Sequence, residues 1–300
     1  MSTVLLYALL SLPLVGAYAL LGLGITVIYQ ASRVLNLAHG AMAMVGAYVT
    51  YEAYQVRIFL PIAVLLGVSG GGLLGFLLER FFVRRLRGSG ATAQTVGTVA
   101  VLTLAVAVVS RMFGSLPVVP PRLFPDGAIR FGKGFEPYIQ FGVFPVAILL
   151  AGVVFVIFRF TDIGLAMRGA ALNRNGAALR GINPDFTASL AWVIGGALAA
   201  AAGILLAGAS ELDPYTISLG VLPAFVAALI GGLESMPGVV VGAAVIGLVQ
   251  GLVPALSLIG PLSGVFGAQG APALALGLVA FVAMAVRGGR LSGAAPAEAL

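Results

Sequence analysis

Few residues in this chain could do chemistry, and His39 is the first of them. It is the single histidine, and the sequence contains no cysteine. Metal ligation by histidine and thiolate therefore has no support, and thiol chemistry is excluded. A catalytic histidine needs a nucleophile and an orienting acid, and the sequence around His39 offers neither. We expect no catalytic residue, no metal and no cofactor. A structural role at a helix break is the favoured interpretation of His39, with a proton relay as the alternative.

The carboxylates indicate how transport could be driven if the chain spans a membrane. A carboxylate within a membrane span is typical of carriers coupled to ions. The sequence also lacks the Gly-x4-Gly-Lys-Ser/Thr motif that binds the phosphates of ATP. Without a carboxylate in the middle of a span and without an ATP site, transport would be passive or driven by a partner. The carboxylates considered lie at or near the ends of apolar runs: Glu52, Asp162, Asp185, Glu211, Asp213 and Glu234.

Two motifs interrupt apolar runs with polar or helix-breaking residues. One spans 36–47 in the first half of the chain, and the other spans 231–243 in the second half. Paired interruptions of this kind indicate an internal repeat and a central pathway formed by broken helices. A plain turn remains an equal alternative at 231–238, because Glu234 and Pro237 suit one. The residues expected to line the pathway are Asn36, His39, Gly40, Gly231, Gly232 and Ser235.

The composition shows which elements must position these residues. Of 300 residues, 60% are hydrophobic and only 9% are charged, whereas soluble domains have about 25% charged residues. A span of the hydrocarbon core takes about 20 apolar residues as a helix, and backbone groups in lipid must be paired internally. The fold class is therefore an all-α polytopic membrane protein with about 8–10 segments. Nine are expected: 4–28, 36–54, 58–78, 91–110, 138–158, 187–209, 215–232, 237–256 and 268–286.

Arginine clusters predict the orientation of these segments. They follow the third segment, fill 159–186 and end the last segment, so the positive-inside rule places them in the cytoplasm. The N-terminus is then external, and 112–136 is an irregular external loop. The net charge of +6 reflects these loops and does not indicate nucleic acid. We expect one permease domain, 1–290, and a short cytoplasmic tail, 291–300.

The cytoplasmic loop 159–186 is predicted to contain two short helices. Thr161 or Asp162 suits the start of the first helix, 173–176 breaks it, and a second helix over 177–180 ends at Gly181. Such a pair could enter a groove on a soluble partner. It could equally rest on anionic lipid through its arginines.

Three motifs resemble the signatures of LivH-type permeases of branched-chain amino acid ABC transporters. The first is RVLNLAHGAMAMVGAY at 33–48, and the second runs from RGAALN to ALRGIN over 168–183. The third, over 224–242, consists of Ala224-Phe225, Gly231-Gly232-Leu233, Ser235, Pro237-Gly238 and Gly242. Their order, their spacing and the total length match that family over nearly the whole chain. The sequence departs from the family pattern at Ala41 and Gly169.

The resemblance implies one permease subunit of an importer for branched-chain or related amino acids, in a bacterial or archaeal plasma membrane. It implies a second, LivM-like permease, two cytoplasmic ATPases and an external substrate-binding protein as partners, besides membrane lipid. The residues expected to dock the ATPases are Arg168, Asn173, Ala177, Ala178, Leu179 and Gly181.

The alternative function is a stand-alone channel or facilitator for a small neutral solute such as urea or an amide. It would share the interrupted helices and the scarcity of charge within the spans. A channel has no need of a docking helix, so the loop 159–186 discriminates between the two.

Overall fold

The computed structural model describes residues 3–131, 134–256 and 270–291. Helices dominate this part of the chain, and one short antiparallel hairpin accompanies them. The helices are α1 (Thr3–Leu10), α2 (Leu12–Ser32), α3 (His39–Gln55), α4 (Leu60–Leu77), α5 (Gly90–Phe113), α6 (Ile139–Phe160), α7 (Asp162–Leu172), α8 (Arg174–Leu179), α9 (Pro184–Ala209), α10 (Pro214–Leu219), α11 (Val221–Gly231), α12 (Met236–Leu256) and α13 (Ala271–Leu291).

Seven helical stretches in the described residues are long and apolar enough to cross a membrane. They include α1 and α2 taken together, and α10 and α11 taken together. α3, with 17 residues, and the apolar part of α13, Ala271–Ala285, correspond to the remaining two predicted segments, so each of the nine contains a helix. The predicted all-α membrane fold is confirmed. Residues 268 and 269 of the last segment lie outside the described residues, as does the predicted tail apart from Leu291.

The core of the bundle is α9, which packs against α2, α3 and α4. Small residues allow these helices to touch through their backbones. A Cβ at Gly67 would lie 2.5 Å from the Gly46 carbonyl oxygen. A Cβ at Gly71 would lie 2.6 Å from the Gly196 carbonyl oxygen. The glycines of these helices therefore permit tight packing of α3, α4 and α9.

The connection between α5 and α6 differs from the irregular loop that the sequence predicts. Ala128–Phe131 (β1) and Gly134–Pro137 (β2) form an antiparallel hairpin. Upstream of the hairpin, Val118 exchanges backbone hydrogen bonds of 3.0 and 3.1 Å with Leu212, which lies in the connection between α9 and α10. Four prolines between 117 and 125 predict irregularity, but they lie before the hairpin, and Pro137 is the last residue of β2.

The end of α4 departs from α-helical geometry. Leu78–Val83 forms a π-helical turn, and Arg84–Ser89 continues as a 3₁₀ helix. In the π turn the Arg84 amide donates to the Glu79 carbonyl, five residues earlier. Single π turns inside helices are frequent at functional sites.

Candidate functional site

The first interrupted motif is a break between α2 and α3. Residues 33–38 are not helical, and Arg33 begins the break with a left-handed φ of 56°. Thr98 of α5 supports the exposed backbone: its hydroxyl accepts a hydrogen bond from the Leu37 amide at 3.0 Å and donates to the Thr95 carbonyl at 2.7 Å. The predicted non-helical segment is therefore present, and a side chain from a neighbouring helix satisfies part of it.

His39 begins α3 deep within the bundle. Its ring lies against Gly24 of α2, where a Cβ would be 2.6 Å from Nε2. Gly24 is eight residues before the end of α2, about 12 Å along the axis at ~1.5 Å per residue. His39 is fully buried, and neither ring nitrogen closes a hydrogen bond of normal geometry, although the Leu21 carbonyl faces the ring. His39 is thus buried beside the helix break without a hydrogen bond of normal geometry.

Asn36 and Gly40 flank His39 in different ways. Asn36 is 1% exposed, its amide nitrogen lies 3.8 Å from the Met42 sulfur, and its Oδ1 has no hydrogen-bond partner. Gly40 approaches α10 so closely that a Cβ there would overlap the Ser218 carbonyl. Only glycine fits this contact, because any side chain would separate α3 from α10.

Ser218 belongs to a second break, which the sequence analysis missed. Asp213 caps α10 by accepting hydrogen bonds from the amides of Tyr215 and Thr216, and the helix stops at Gly220 before α11 begins. This break adjoins the start of α3. A signal was present in the predicted span 215–232, which contains Gly220 and Pro223.

The second interrupted motif is a tight turn between antiparallel helices. Gly242 of α12 packs on Ala227 of α11, and Gly238 packs on Gly231. Gly232 turns the chain with φ 86°, and Ser235 caps α12 by accepting from the Gly238 amide at 3.2 Å. Of the two alternatives at 231–238, the turn is the one present.

This turn docks on the end of α2. The Gln30 side chain donates to the Glu234 carbonyl at 2.6 Å, and Arg33 pairs with the Glu234 carboxylate. The hydrogen bond to Glu234 raises the pKa of Arg33 above its ordinary value. Ser218, which Gly40 contacts, lies in α10 just before α11, and Gly231 ends α11, a helix of 11 residues that is about 16 Å long. The structure therefore does not bring the two sets of predicted pathway residues together.

Glu79 is a buried carboxylate that the sequence analysis did not consider. Its side chain is only 1% exposed, and it accepts hydrogen bonds from Arg84 at 2.9 and 3.3 Å and from the Ser189 hydroxyl at 2.5 Å. Residues five apart face directions about 140° apart on an α-helix. The π turn, in which a backbone hydrogen bond joins residues five apart, brings Arg84 over Glu79 instead.

The arginine pairs extend this contact to the loop between α6 and α9. Arg84 lies 3.4 Å from the Asp185 carboxylate, and Arg174 of α8 pairs with the same carboxylate. The end of α4, the start of α9 and α8 thus share one chain of charges. We call this end of the bundle the arginine-rich face.

The predicted helix pair is present in that loop as α7 and α8. Thr161 caps α7 by accepting from the Gly164 amide at 3.3 Å, as expected. The predicted break over 173–176 is wrong in extent. Asn173 caps α8 by accepting from the Gly176 amide at 2.8 Å, so 174–176 already form the first turn of that helix. Gly181 follows α8 with φ 81°, as expected of a helix stop.

The predicted docking residues face different ways. Leu179 is 90% exposed and Ala178 is exposed, whereas Ala177 is only 6% exposed and packs within its own chain. Arg168 donates to the Phe158 carbonyl, at the end of α6. Ala178 and Leu179 are thus available to a partner, and Asn173 and Gly181 shape the helix that presents them.

These features define a class: a multi-pass α-helical membrane protein with a non-helical break between two of its helices and a capped helix pair between two spans. A family model described as "Branched-chain amino acid transport system / permease component" matches residues 7–287. The chain belongs to this family, and the resemblance seen in the sequence is confirmed.

Similar proteins occur in bacteria and archaea. The chain is 29% identical over 255 residues to the high-affinity branched-chain amino acid transport system permease protein LivH of Escherichia coli K12, covering 78% of this chain and 81% of that protein. It is 28% identical over 280 residues to BraD of Pseudomonas aeruginosa, covering 88% of both. A probable LivH of Methanocaldococcus jannaschii is 28% identical over 242 residues, covering 78% of this chain and 76% of the relative. The predicted multi-pass plasma-membrane location is confirmed.

Proposed function

We propose that this chain is the membrane-spanning permease subunit of an ABC importer for branched-chain or related amino acids. An external binding protein delivers the substrate, a second, LivM-like permease completes the pathway, and two cytoplasmic ATPases supply the energy. The chain itself performs no catalysis. Membership of the permease family supports this function over a stand-alone channel.

The single observation that carries the energy-coupling part is the exposed end of α8. A leucine that is 90% exposed, beside an exposed alanine, forms a small apolar surface outside the membrane-spanning helices. Arg174, on the same helix, joins the charge network that reaches Glu79 in the bundle. A soluble ATPase that covers Leu179 could thus move the bundle, because packed contacts transmit rigid-body motion.

The proposed pathway follows the break at 33–38 and the junction of α3 with α10. Asn36, His39 and Gly40 remain the candidates, joined by Ser218. Gly231, Gly232 and Ser235 lie at the arginine-rich face and are proposed only for the inner end of the route. Buried polar atoms of Asn36 and His39 without hydrogen-bond partners suit a site that binds polar cargo transiently.

A charge at the docking surface tests the proposal. We expect Leu179→Glu to reduce both ATP-dependent uptake and co-purification of the ATPases, because an unpaired charge in a packed contact costs several kcal/mol. Binding of substrate by the external protein should not change. Val119→Glu is the control, since Val119 is 84% exposed on the connection between α5 and α6.

Ala177→Glu would be a less suitable variant, because Ala177 is buried in its own chain. The channel alternative predicts a different result. If vesicles that contain only the Leu179→Glu chain carry solute without ATP at the wild-type rate, the importer proposal is wrong.

A further inference from the structure

Two neighbouring cavities form one groove between α6 and α12. The first, of about 350 Å³, lies at the arginine-rich face, and the second, of about 300 Å³, continues from it along the membrane-spanning helices. The two cavities share Phe155 of α6 and both Met236 and Pro237 of α12 in their walls. We call the two cavities together the inner groove.

The inner groove exists because α6 and α12 both pack against α2, whereas in the described residues they do not pack closely on each other. Buried Leu23 of α2 forms the floor. Gly152 widens the groove, since a Cβ there would meet no atom within 4 Å. The walls are accessible to a ligand: Ile148 is 38% exposed, Gly152 and Pro237 are exposed, and Phe155 is half-buried.

The depth of the inner groove matches one leaflet of a bilayer. From Arg159 at the mouth to Ile148 at the far end, its wall advances 11 residues along α6, about 16 Å at ~1.5 Å per residue. The hydrocarbon core is about 30 Å thick, so one leaflet accounts for about 15 Å. The surfaces beside the groove are apolar and exposed, at Leu149 and Val156 of α6 and at Val241 of α12. The groove therefore opens toward lipid acyl chains.

The mouth of the inner groove is positively charged. Arg159, which is exposed, and Arg168, which is half-buried, both line it, and neither forms an ion pair with a carboxylate of the described residues. Arg168 donates one N–H to the Phe158 carbonyl, and a guanidinium has five N–H donors. Glu234 is also at the mouth, but Arg33 pairs with its carboxylate. A ligand that fits the groove carries an anionic group at one end and a long apolar chain.

We propose that the inner groove binds one anionic phospholipid of the cytoplasmic leaflet. The phosphate lies between Arg159 and Arg168, and one acyl chain follows Gly152 and Ile148 toward the middle of the membrane. The cytoplasmic leaflet is rich in anionic lipids, and basic pockets between membrane helices on that side bind their headgroups. This inference does not depend on the cargo of the permease or on how transport is driven.

The bound headgroup connects the loop between α6 and α9 to the bundle. Arg168 is on α7, Arg159 ends α6, and Ser235, which is exposed at the mouth, caps α12. The lipid therefore holds the start of the α7–α8 pair against the turn between α11 and α12. Arg168, which donates to its own chain, is in this proposal a lipid ligand instead of an ATPase contact.

Native mass spectrometry of the full chain in detergent counts bound lipids directly. The chain is titrated with phosphatidylglycerol and with phosphatidylcholine that carry the same oleoyl chains. We expect the first phosphatidylglycerol to bind at least tenfold more tightly than the first phosphatidylcholine. Equal binding of the two lipids would show that the arginines select no headgroup, and it would overturn the proposal.

Glycerol 3-phosphate separates the whole lipid from its phosphate alone, because it carries the phosphate without acyl chains. We expect no displacement of phosphatidylglycerol by a tenfold excess of glycerol 3-phosphate. Displacement at that ratio would show a simple anion site, in which the apolar part of the groove has no role, and the phospholipid would be the wrong ligand.

Two matched pairs of variants locate the lipid. Gly152→Leu fills the inner groove, whereas Gly277→Leu adds the same side chain on α13, where the Cβ also meets no atom within 4 Å. Arg159→Gln removes a charge from the mouth, whereas Arg85→Gln removes an exposed arginine that does not line the groove. We expect the first variant of each pair to bind phosphatidylglycerol at least tenfold more weakly and the second to bind it as the wild type does. If Gly152→Leu binds it as tightly as Gly277→Leu, the proposal is wrong.

A photoreactive lipid locates the site without any variant. Phosphatidylglycerol with a diazirine in the middle of one acyl chain is crosslinked to the wild-type chain, and the labelled peptides are identified. Label on 148–155 or 237–240 supports the proposal, and label confined to other helices overturns it. A contact with the second permease is the other possible occupant of the groove. If Gly152→Leu reduces co-purification of that permease and leaves lipid binding unchanged, the groove is a subunit contact and the lipid site is wrong.

Discussion

Gly71→Ala tests whether close backbone packing of α3, α4 and α9 holds the bundle together. A Cβ at this position would lie 2.5 Å from the Ala200 Cβ and 2.6 Å from the Gly196 carbonyl oxygen, both on α9. It would also lie 3.3 Å from the Met42 carbonyl oxygen on α3. Two of these three atoms are backbone atoms, so no rotation of a side chain relieves the overlap.

The distances give the expected size of the effect. Carbon atoms in contact prefer about 3.5–4.0 Å, so α4 and α9 must separate by about 1 Å. Overpacking of this kind costs about 1–3 kcal/mol. Replacing glycine by alanine inside a helix gains up to about 1 kcal/mol. We therefore expect a net loss of about 1–2 kcal/mol in the free energy of unfolding.

The matched control is Gly152→Ala in α6, where no atom lies within 4 Å of the added Cβ. Gly152→Ala keeps the gain in helix stability without the overlap, so it should raise the free energy of unfolding. Both variants are compared by unfolding in sodium dodecyl sulfate and by thermal unfolding in nanodiscs. If Gly71→Ala is as stable as the wild type, or if Gly152→Ala loses as much, the packing argument is refuted.

Three further predictions concern other features of the fold. Thr98→Val should lose about 1–3 kcal/mol of stability, because the half-buried Leu37 amide is left without its acceptor, whereas Thr98→Ser should keep most of it; thermal unfolding of the two variants checks this. In intact cells an impermeant maleimide should label Val119→Cys but not Ser89→Cys, and the reverse pattern would contradict the predicted orientation. Glu234→Gln should change stability by less than about 1 kcal/mol at low salt and by nothing measurable at high salt, because the ion pair is exposed; a large change at high salt would mean that the turn depends on it.

The helices could be predicted from the sequence because length and apolar composition decide them. Long charge-free runs have no other stable form in lipid. The break at 33–38 was also predictable, since Asn36, His39 and Gly40 follow one another between apolar arms. Local composition was therefore sufficient to predict the helices and this break.

Features that depend on contacts between distant segments could not be predicted. The motif at 231–238 suits either a turn or a broken helix, and the packing of α11 on α12 decides for the turn. Whether Ala177 faces its own chain or a partner depends on where α8 packs on α9. The residues next to Ala177 in the sequence do not indicate that contact. Glu79 follows a charge-free run directly, but its burial depends on Ser189, which is 110 residues away.

The π turn has a consequence for variation in chain length. It contains one residue more than an α-helical turn over the same stretch, and each residue rotates an α-helix by about 100°. Deleting a single residue within Leu78–Val83 would restore the α-helical register. A deletion between Glu79 and Arg84 would leave them four residues apart, about 40° from each other on one face of the helix, so the ion pair would be kept. The pairing therefore tolerates the loss of one residue from the turn, whereas an α-helix of the present length would point Arg84 about 140° away from Glu79.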